Sequence, residues 1–265
     1  MANIIEWLFG GSRSADGNSP PAPVNTPAHP FYPQDLKFPN YVPSSYSAFE
    51  TFSIFFGALS VIVFPSLYLI LNRTSVAPRN KAIFIWFAVC ACIHLVLEGY
   101  FAYFHATMAE DDTILGQLWK EYSLSDSRYL TSDPLVVCME RVTAVSIEIE
   151  AGSVFIYLKV KTFILIFGGP LSIFTCLAIY FNWPSRHVLQ LTTSIIHLYG
   201  DVLYYWTTIF QGSPHSRPEA YYYWFYFIFI NSIWVIIPTL LTIESWKELT
   251  KVVSEDYRRK SKKLQ

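Results

Sequence analysis

Residues 92–100 of the chain, Cys-Ile-His-Leu-Val-Leu-Glu-Gly-Tyr, decide how the rest of the sequence is interpreted. They lie within an apolar run at about residues 82–104, which is long enough to cross a bilayer as a helix. His94 and Glu98 are four residues apart, so a helix places both on one face, one turn apart. An imidazole and a carboxyl group inside a membrane are costly and need a partner or a water-filled cavity. These two residues alone do not separate a structural pair from a functional one.

The composition is that of a polytopic membrane protein. The 265-residue chain is 52% hydrophobic and 18% aromatic, whereas only 15% of its residues are charged. The net charge of −1 indicates no nucleic-acid partner. The four cysteines lie in apolar runs without partners at zinc spacing, so we expect them to be buried and unpaired, with no metal site. No motif for a cofactor is found, and we expect none.

Five apolar segments predict an all-α bundle of five membrane-spanning helices, at about residues 52–71, 82–104, 135–181, 188–210 and 221–243. Short loops rich in Lys and Arg stay in the cytosol. An excess of these residues occurs in the loops after the first and third segments and in the basic tail, residues 244–265. We therefore expect a lumenal N-terminus, with residues 1–45 disordered or interfacial, and a cytosolic tail. The final Lys-Lys-Leu-Gln resembles a dilysine retrieval signal of the endoplasmic reticulum; a plain solvated tail is the alternative.

Polar side chains and a tryptophan from four of these segments fall into one layer. At about 1.5 Å per residue, they lie roughly 9 to 20 Å from the lumenal end of their segments. Because independent structural polar groups need not share a depth, we predict one cavity lined by aromatic residues, with scattered structural pairs as the alternative. The residues of this layer are His94, Glu98, Glu140, Thr143, Asp201, Asn231 and Trp234.

Two buried carboxyl groups and an imidazole are suited to proton transfer. One carboxyl group can donate a proton, a second group can accept one elsewhere on the same substrate, and a Trp face can stabilise a carbocation. In an apolar chamber within a membrane, the natural substrate is a lipid. Proton addition and removal without a redox cofactor describe a double-bond isomerase.

Six stretches resemble the emopamil-binding protein family, the sterol Δ8-Δ7 isomerases of the wider EXPERA group. They are HPFYPQDL, WFAVCACIHLVLEGYF, QLWKEYSLSDSRYL, VCMERVTA, LYGDVLYY and YYWFYFIFINSIW, in this order along the chain. The resemblance implies a five-helix membrane domain, residues 46–243, around a sterol-sized cavity in the endoplasmic reticulum membrane. It also implies that a Δ8-sterol is protonated at C9 and loses a proton from C7.

The matching motifs also imply roles for single residues. His94, Glu98 and Glu140 would handle protons, Trp234 would face the cation, and Thr143 and Asn231 would orient the carboxyl groups. The implied partners are the sterol, membrane lipid and cationic amphiphilic drugs, and a homodimer is left open. The alternative is a non-catalytic binder of sterols or cationic drugs, like the sigma-2 receptor relatives. We expect the other conspicuous polar groups to be structural: Asp201 and His197 as hydrogen bonds between helices, and the WKEY…DSRY loop as a cap of charge pairs or a solvated loop.

Residues 146–166 depart from the family pattern, because they separate two motifs that the family joins directly. The insert contains Glu148, Glu150, Lys159 and Lys161 in alternating patterns that a membrane helix disfavours. Its length makes the third segment too long for one span, and two spans would move the basic tail to the lumenal side. We hypothesise that the insert is a retained intron.

Sequencing of the transcripts tests this hypothesis. We expect reads that join the codon of Val145 directly to that of Phe167, because this junction restores family spacing. Complementary DNA that reads through residues 146–166 in every clone would rule the idea out.

Overall fold

The structure, a computed structural model, describes residues 29–143 and 168–263, with the side chains of residues 142 and 143 left out of the description. Within these residues all regular structure is helical. The α-helices are α1 (Ala48–Leu71), α2 (Pro78–Cys92), α3 (Gly99–Phe104), α4 (Ile114–Tyr122), α5 (Pro134–Thr143), α6 (Gly169–Tyr180), α7 (Arg186–Phe210) and α8 (Asn231–Lys263). Two π-helices, π1 (Ile93–Glu98) and π2 (Tyr221–Ile230), join α2 to α3 and precede α8, and 3₁₀ turns span His105–Thr107 and Ser127–Tyr129.

Three continuous helices of the described residues are long and apolar enough to cross a membrane: Ala48–Leu71, Pro78–Thr107 and Tyr221–Lys263. They correspond to the first, second and fifth predicted segments. Helix α7 has 25 residues and is long enough to span a membrane, but it carries more polar side chains than these three helices. The predicted third segment is described only as α5 and α6, because the insert 146–166 lies outside the described residues. The count of five spans therefore stays a prediction.

Helix α1 presents most of its apolar side chains outward. Its start is fixed by a capping box, in which Ser47 Oγ accepts from the Glu50 N–H and Glu50 Oε2 accepts from the Ser47 N–H at 2.8 Å. Phe49 and Tyr68 are more than two-thirds exposed, as are other large apolar residues between them. An apolar helix with this exposure is typical of a lipid-facing element.

The remaining helices form the bundle. Helix α8 packs along α7, while α2 packs against α1 and α6, and α6 in turn contacts α7. One apolar cluster lies where α2, α6 and α8 meet and includes Phe87, Cys176 and Leu241. A second, more aromatic cluster surrounds Phe101, and it holds the functional candidates in place.

The segment before α1 is packed rather than loosely attached. Phe31, Phe38 and Tyr41 are buried in the aromatic cluster, so this stretch packs on the bundle, and its interfacial position stays a prediction. Lys120 of α4 donates from Nζ to the Val42 carbonyl oxygen at 2.7 Å, and burial lowers the pKa of this amine. Residues 1–28 of the predicted N-terminal segment lie outside the described residues.

The loop after α4 closes one end of the bundle. The Arg128 guanidinium forms a bidentate pair with Asp126, with distances of 2.6 to 3.0 Å, and both side chains are almost completely buried. The same guanidinium donates to Thr207 and Thr208 of α7. The structure thus favours the cap over the solvated loop.

The basic tail is helical, because α8 continues through residues 244–263 without a break and is mostly exposed there. The expectation for the cysteines needs correction. Of the four free cysteines, Cys138 is exposed and Cys92 is half-buried, so only Cys90 and Cys176 are the buried residues that we predicted.

The buried ion pair predicts a large difference between two arginines. Arg128→Ala should lower the free energy of unfolding by about 3–5 kcal/mol, because it leaves the Asp126 carboxylate buried without its partner. Arg217→Ala removes a partly exposed pair with Glu219 and should cost no more than about 1 kcal/mol. Thermal unfolding of the purified protein in detergent measures both, and equal losses would contradict the assignment of Arg128 as the central cap residue.

Candidate functional site

The site is built on π1, the wide helical turn Ile93–Glu98 in the middle of the second membrane helix. The Gly99 N–H bonds to the His94 carbonyl oxygen, five residues back. Single π turns inside α-helices are rare and frequently occur at functional sites. The indole N–H of Trp119 donates to the Leu97 carbonyl oxygen at 3.0 Å and thus satisfies one carbonyl group of this irregular stretch.

His94 is buried and uses both of its ring nitrogens. Nδ1 lies 2.6 Å from Glu98 Oε2, so the four-residue spacing brings the two side chains together as predicted. Nε2 lies 2.9 Å from Nε2 of His197, which is also buried and belongs to α7. The expectation that His197 bonds to a neighbouring helix is therefore confirmed, and its partner is the imidazole of the site.

The two glutamates meet. Glu140 of α5 is hydrogen-bonded to Glu98 of π1, although the two residues come from separate helices. Glu140 Oε1 also accepts from the Tyr129 hydroxyl group at 2.6 Å. Because two carboxylates cannot bond to each other without a hydrogen, this pair requires one shared proton. The result is a carboxylic acid next to a carboxylate that an imidazole holds.

Local sequence explains why Glu140 points into the bundle. Pro134 stands at the first position of α5, and Asp133 caps the helix by accepting from the N–H groups of Leu135 and Val136. On the other side, the Tyr129 ring stacks on Trp119 with their centroids 4.9 Å apart. The acid is therefore fixed between a capped helix and a wall of aromatic rings.

Asn231 lies at the junction of π2 and α8. Its Nδ2 donates to the Phe227 carbonyl oxygen at 2.9 Å, and its Oδ1 accepts from the Tyr122 hydroxyl group at 3.1 Å. Tyr122 packs edge-on against Tyr129, with centroids 5.1 Å apart, and Tyr129 contacts Glu140. Asn231 is thus connected to the carboxyl pair through two tyrosines, and its predicted role in orienting the carboxyl groups stays a prediction.

The other two predicted residues are placed differently. The Trp234 ring lies 5.5 Å from that of Trp86, between α8 and α2, and its predicted role at the cation stays untested. The side chain of Thr143 lies outside the described residues. The neighbouring Arg141 points away from the acid, since its guanidinium contacts the His105 ring at 3.2 Å.

Asp201 is a third acid near the pair, close enough to Glu98 and Glu140 for their charges to interact. We predicted a hydrogen bond between helices for it. Instead, its Oδ2 atom is buried and has no hydrogen-bond partner within the described part of the chain. The Asp201 carboxyl group therefore adds a third acidic group to the site, and the predicted hydrogen bond to another helix is not found for its Oδ2 atom among the described residues.

The thiol of Cys90 lies next to the two histidines. Its Sγ and one nitrogen each of His94 and His197 lie within 4.8 Å of one another, and all three residues are buried. Two imidazoles and a thiol form a donor set that Zn²⁺ accepts. The hydrogen bond between the two Nε2 atoms already satisfies one nitrogen of each ring without an ion.

The sequence did not indicate the tyrosine partners of the site, or that the predicted bond of His197 is made with His94. Tyr129 belongs to a loop that we considered either a cap or solvated, and no periodicity indicates that its hydroxyl group reaches Glu140. For His197 a signal exists, because His197 and Asp201 repeat the spacing of His94 and Glu98.

Comparison with known proteins identifies the family of the chain. Residues 114–245 match the model of the EXPERA family (EXPanded EBP superfamily). A protein of Mus musculus named 3-beta-hydroxysteroid-Delta(8),Delta(7)-isomerase is 40% identical over 236 residues, which are 86% of this chain and 91% of the relative. The chain belongs to the EXPERA family. Members of this family from Rattus norvegicus, with the same name, and from Arabidopsis thaliana, named as a probable isomerase of this kind, are 38% identical over 232 residues and 34% identical over 224 residues. These two matches cover 86% and 84% of this chain and 91% and 89% of the relatives.

Close packing of α6 on π1 predicts the effect of a single methyl group. A Cβ at Gly169 would lie 2.7 Å from Cδ2 of Leu95, so Gly169→Ala should displace π1 and lower the free energy of unfolding by about 1–3 kcal/mol. Gly200→Ala in α7 has nothing within 4 Å and should leave stability unchanged or raise it. Thermal unfolding of both variants checks this, and a stable Gly169→Ala variant would contradict the tight fit.

Proposed function

We propose that this protein is a sterol Δ8-Δ7 isomerase that moves the C8–C9 double bond of a sterol to C7–C8. The observation that carries the proposal is the hydrogen-bonded pair of Glu98 and Glu140, with His94 on one side and Tyr129 on the other. A buried acid beside a buried base is what proton addition and proton removal on one substrate require. The isomerase names of relatives at 34–40% identity over most of the chain support the same reaction.

The proposed reaction balances without an external oxidant or reductant. The carboxylic acid gives its proton to C9 as the C8–C9 π electrons form the new C–H bond, which leaves a cation at C8. The basic group then removes a proton from C7, and the electrons of that C–H bond form the C7–C8 double bond. The shared proton of Glu98 and Glu140 is available for the first step, and the partner carboxylate with His94 for the second.

Aromatic rings are proposed to stabilise the cation between the two steps. Trp234 is the family candidate, and together with Trp86 it presents indole faces on α8 and α2. Thr143 and Asn231 are proposed to orient the carboxyl groups, and the bond from Tyr122 to Asn231 supports the second assignment.

A five-helix bundle around a sterol-sized cavity is the architecture we propose for this reaction. Helices α5 and α6 both contact π1, as the two halves of a single third span would. At about 1.5 Å per residue, α7 is about 37 Å long and can cross the bilayer as the fourth. The endoplasmic reticulum membrane is proposed as the location, because the family that the chain belongs to is expected to act on sterols there.

The proposed ligands are a Δ8-sterol, surrounding membrane lipid and cationic amphiphilic drugs, whose amine a buried carboxylate would attract. A protein that only binds such ligands needs one carboxylate. The contact between two carboxyl groups from different helices therefore favours catalysis over the binding-only alternative.

Expression in sterol-isomerase-deficient cells tests the proposal, with sterols identified by mass spectrometry. We expect Δ8-sterols to decline and Δ7-sterols to accumulate. Glu140→Gln should slow conversion by about 10²–10⁴-fold, because the amide cannot transfer the proton. Glu121→Gln is the matched control, since Glu121 is a partly buried carboxyl group that accepts from Tyr226 away from the pair, and it should stay within a few-fold of wild type.

A second form of the chain, without residues 146–166, is expressed in parallel. Activity in the shortened form alone would support both the isomerase and the retained-intron hypothesis. Persistent Δ8-sterols with both forms, at normal protein levels, would overturn the proposed function.

A further inference from the structure

His197 and His94 form a buried imidazole pair that joins α7 to π1. Their Nε2 atoms are 2.9 Å apart, and the ring centroids are separated by 4.7 Å. Both residues are less than 5% exposed. The hydrogen bond that we expect between His197 and a neighbouring helix is thus made with the imidazole that contacts Glu98.

Which of the two rings donates the hydrogen follows from the second nitrogen of His197, Nδ1. His197 Nδ1 is buried and has no hydrogen-bond partner within the described residues. If His94 donated from Nε2, a neutral His197 would carry its only hydrogen on Nδ1, as a buried donor without an acceptor. Such an orphaned donor costs the desolvation of an N–H group, about 1–3 kcal/mol. The arrangement that avoids this donor places the hydrogen on His197 Nε2.

This arrangement fixes the tautomer of His94. With Nε2 accepting from His197, the hydrogen of His94 lies on Nδ1, which faces Glu98 Oε2 at 2.6 Å. Which ring nitrogen of a histidine is protonated is set by the bond that the other nitrogen makes. The Nδ1–H group then favours the carboxylate form of Glu98, so the proton of the carboxyl pair lies on Glu140.

We propose that His197 is a positioning residue that holds His94 in its Nδ1–H tautomer and thereby keeps Glu98 ready as the base. The inference rests on the proposed isomerase reaction for its kinetic effect, but the tautomer itself does not depend on activity. His197 touches His94 rather than the carboxyl groups, so its loss should change the rate of conversion more than the binding of the sterol.

Two substitutions of His197 separate hydrogen bonding from packing. His197→Leu fills similar space without a hydrogen-bond donor. It should lower kcat by about tenfold to a hundredfold, which is the effect of removing the hydrogen-bond partner of a metal-bound histidine. KM for the Δ8-sterol should change less than threefold. His197→Gln keeps an N–H donor at similar reach and should recover most of the lost kcat.

The matched control lies on the same helix. Ser194→Ala removes a buried hydroxyl group that has no hydrogen-bond partner within the described residues, and it should stay within twofold of wild type. A His197→Leu enzyme with unchanged kcat would overturn the proposal. Equal impairment of the Leu and Gln variants would also overturn it, because His197 would then act through its shape.

Nitrogen-15 spectra of imidazole-labelled protein in lipid nanodiscs test the tautomer without any turnover. His94→Gln assigns the His94 signals. We expect a protonated Nδ1 and an unprotonated Nε2 in the wild type, and a mixture of tautomers in His197→Leu. An unchanged His94 tautomer in that variant would refute the proposal even if the protein is an isomerase. An inactive wild-type protein with the expected spectra would instead count against the proposed function alone.

Discussion

The structure depends on one interaction, the contact between the carboxyl groups of Glu98 and Glu140, which a histidine extends on one side and a tyrosine on the other. Ionised groups are costly within a membrane unless hydrogen bonds or opposite charges compensate them. Here a chain of side chains, His197, His94, Glu98, Glu140 and Tyr129, links α7, π1, α5 and the loop before α5. Each of these contacts reduces the free-energy cost of burying a polar group, and in the proposed reaction the same contacts fix the positions of the protons.

Both π-helices are bonded to neighbouring elements through aromatic side chains. Each leaves backbone carbonyl groups out of the regular α ladder, and side chains of other elements take them: Trp119 bonds to Leu97 in π1, and Tyr205 bonds to Ile228 in π2 at 2.6 Å. Because aromatic residues supply these donors, the irregular turns are tied to the aromatic cluster around the acid. The irregular turns and the candidate residues thus lie next to the same aromatic cluster.

Much of the site could be predicted from the sequence, because helical depth and spacing are one-dimensional properties. The proximity of His94 and Glu98 followed from their four-residue spacing, and that of Glu98 and Glu140 from a shared depth. The Asp126–Arg128 cap, the buried Phe31 and the Tyr129 contact could not be derived, since they depend on how loops fold back over the bundle. A hydrogen bond of His197 to another helix could be predicted, but its partner His94 could not, because that requires knowing which face of α7 turns toward π1.

A double-mutant cycle in kcat on Glu98 and Glu140 tests the central claim most directly. Residues that act as one unit show strongly non-additive losses. If the two carboxyl groups share one proton and work as a pair, the Glu98→Gln, Glu140→Gln double variant will be no slower than the slower single variant. If the two losses multiply, the groups act independently, and the account of a coupled carboxyl pair is contradicted.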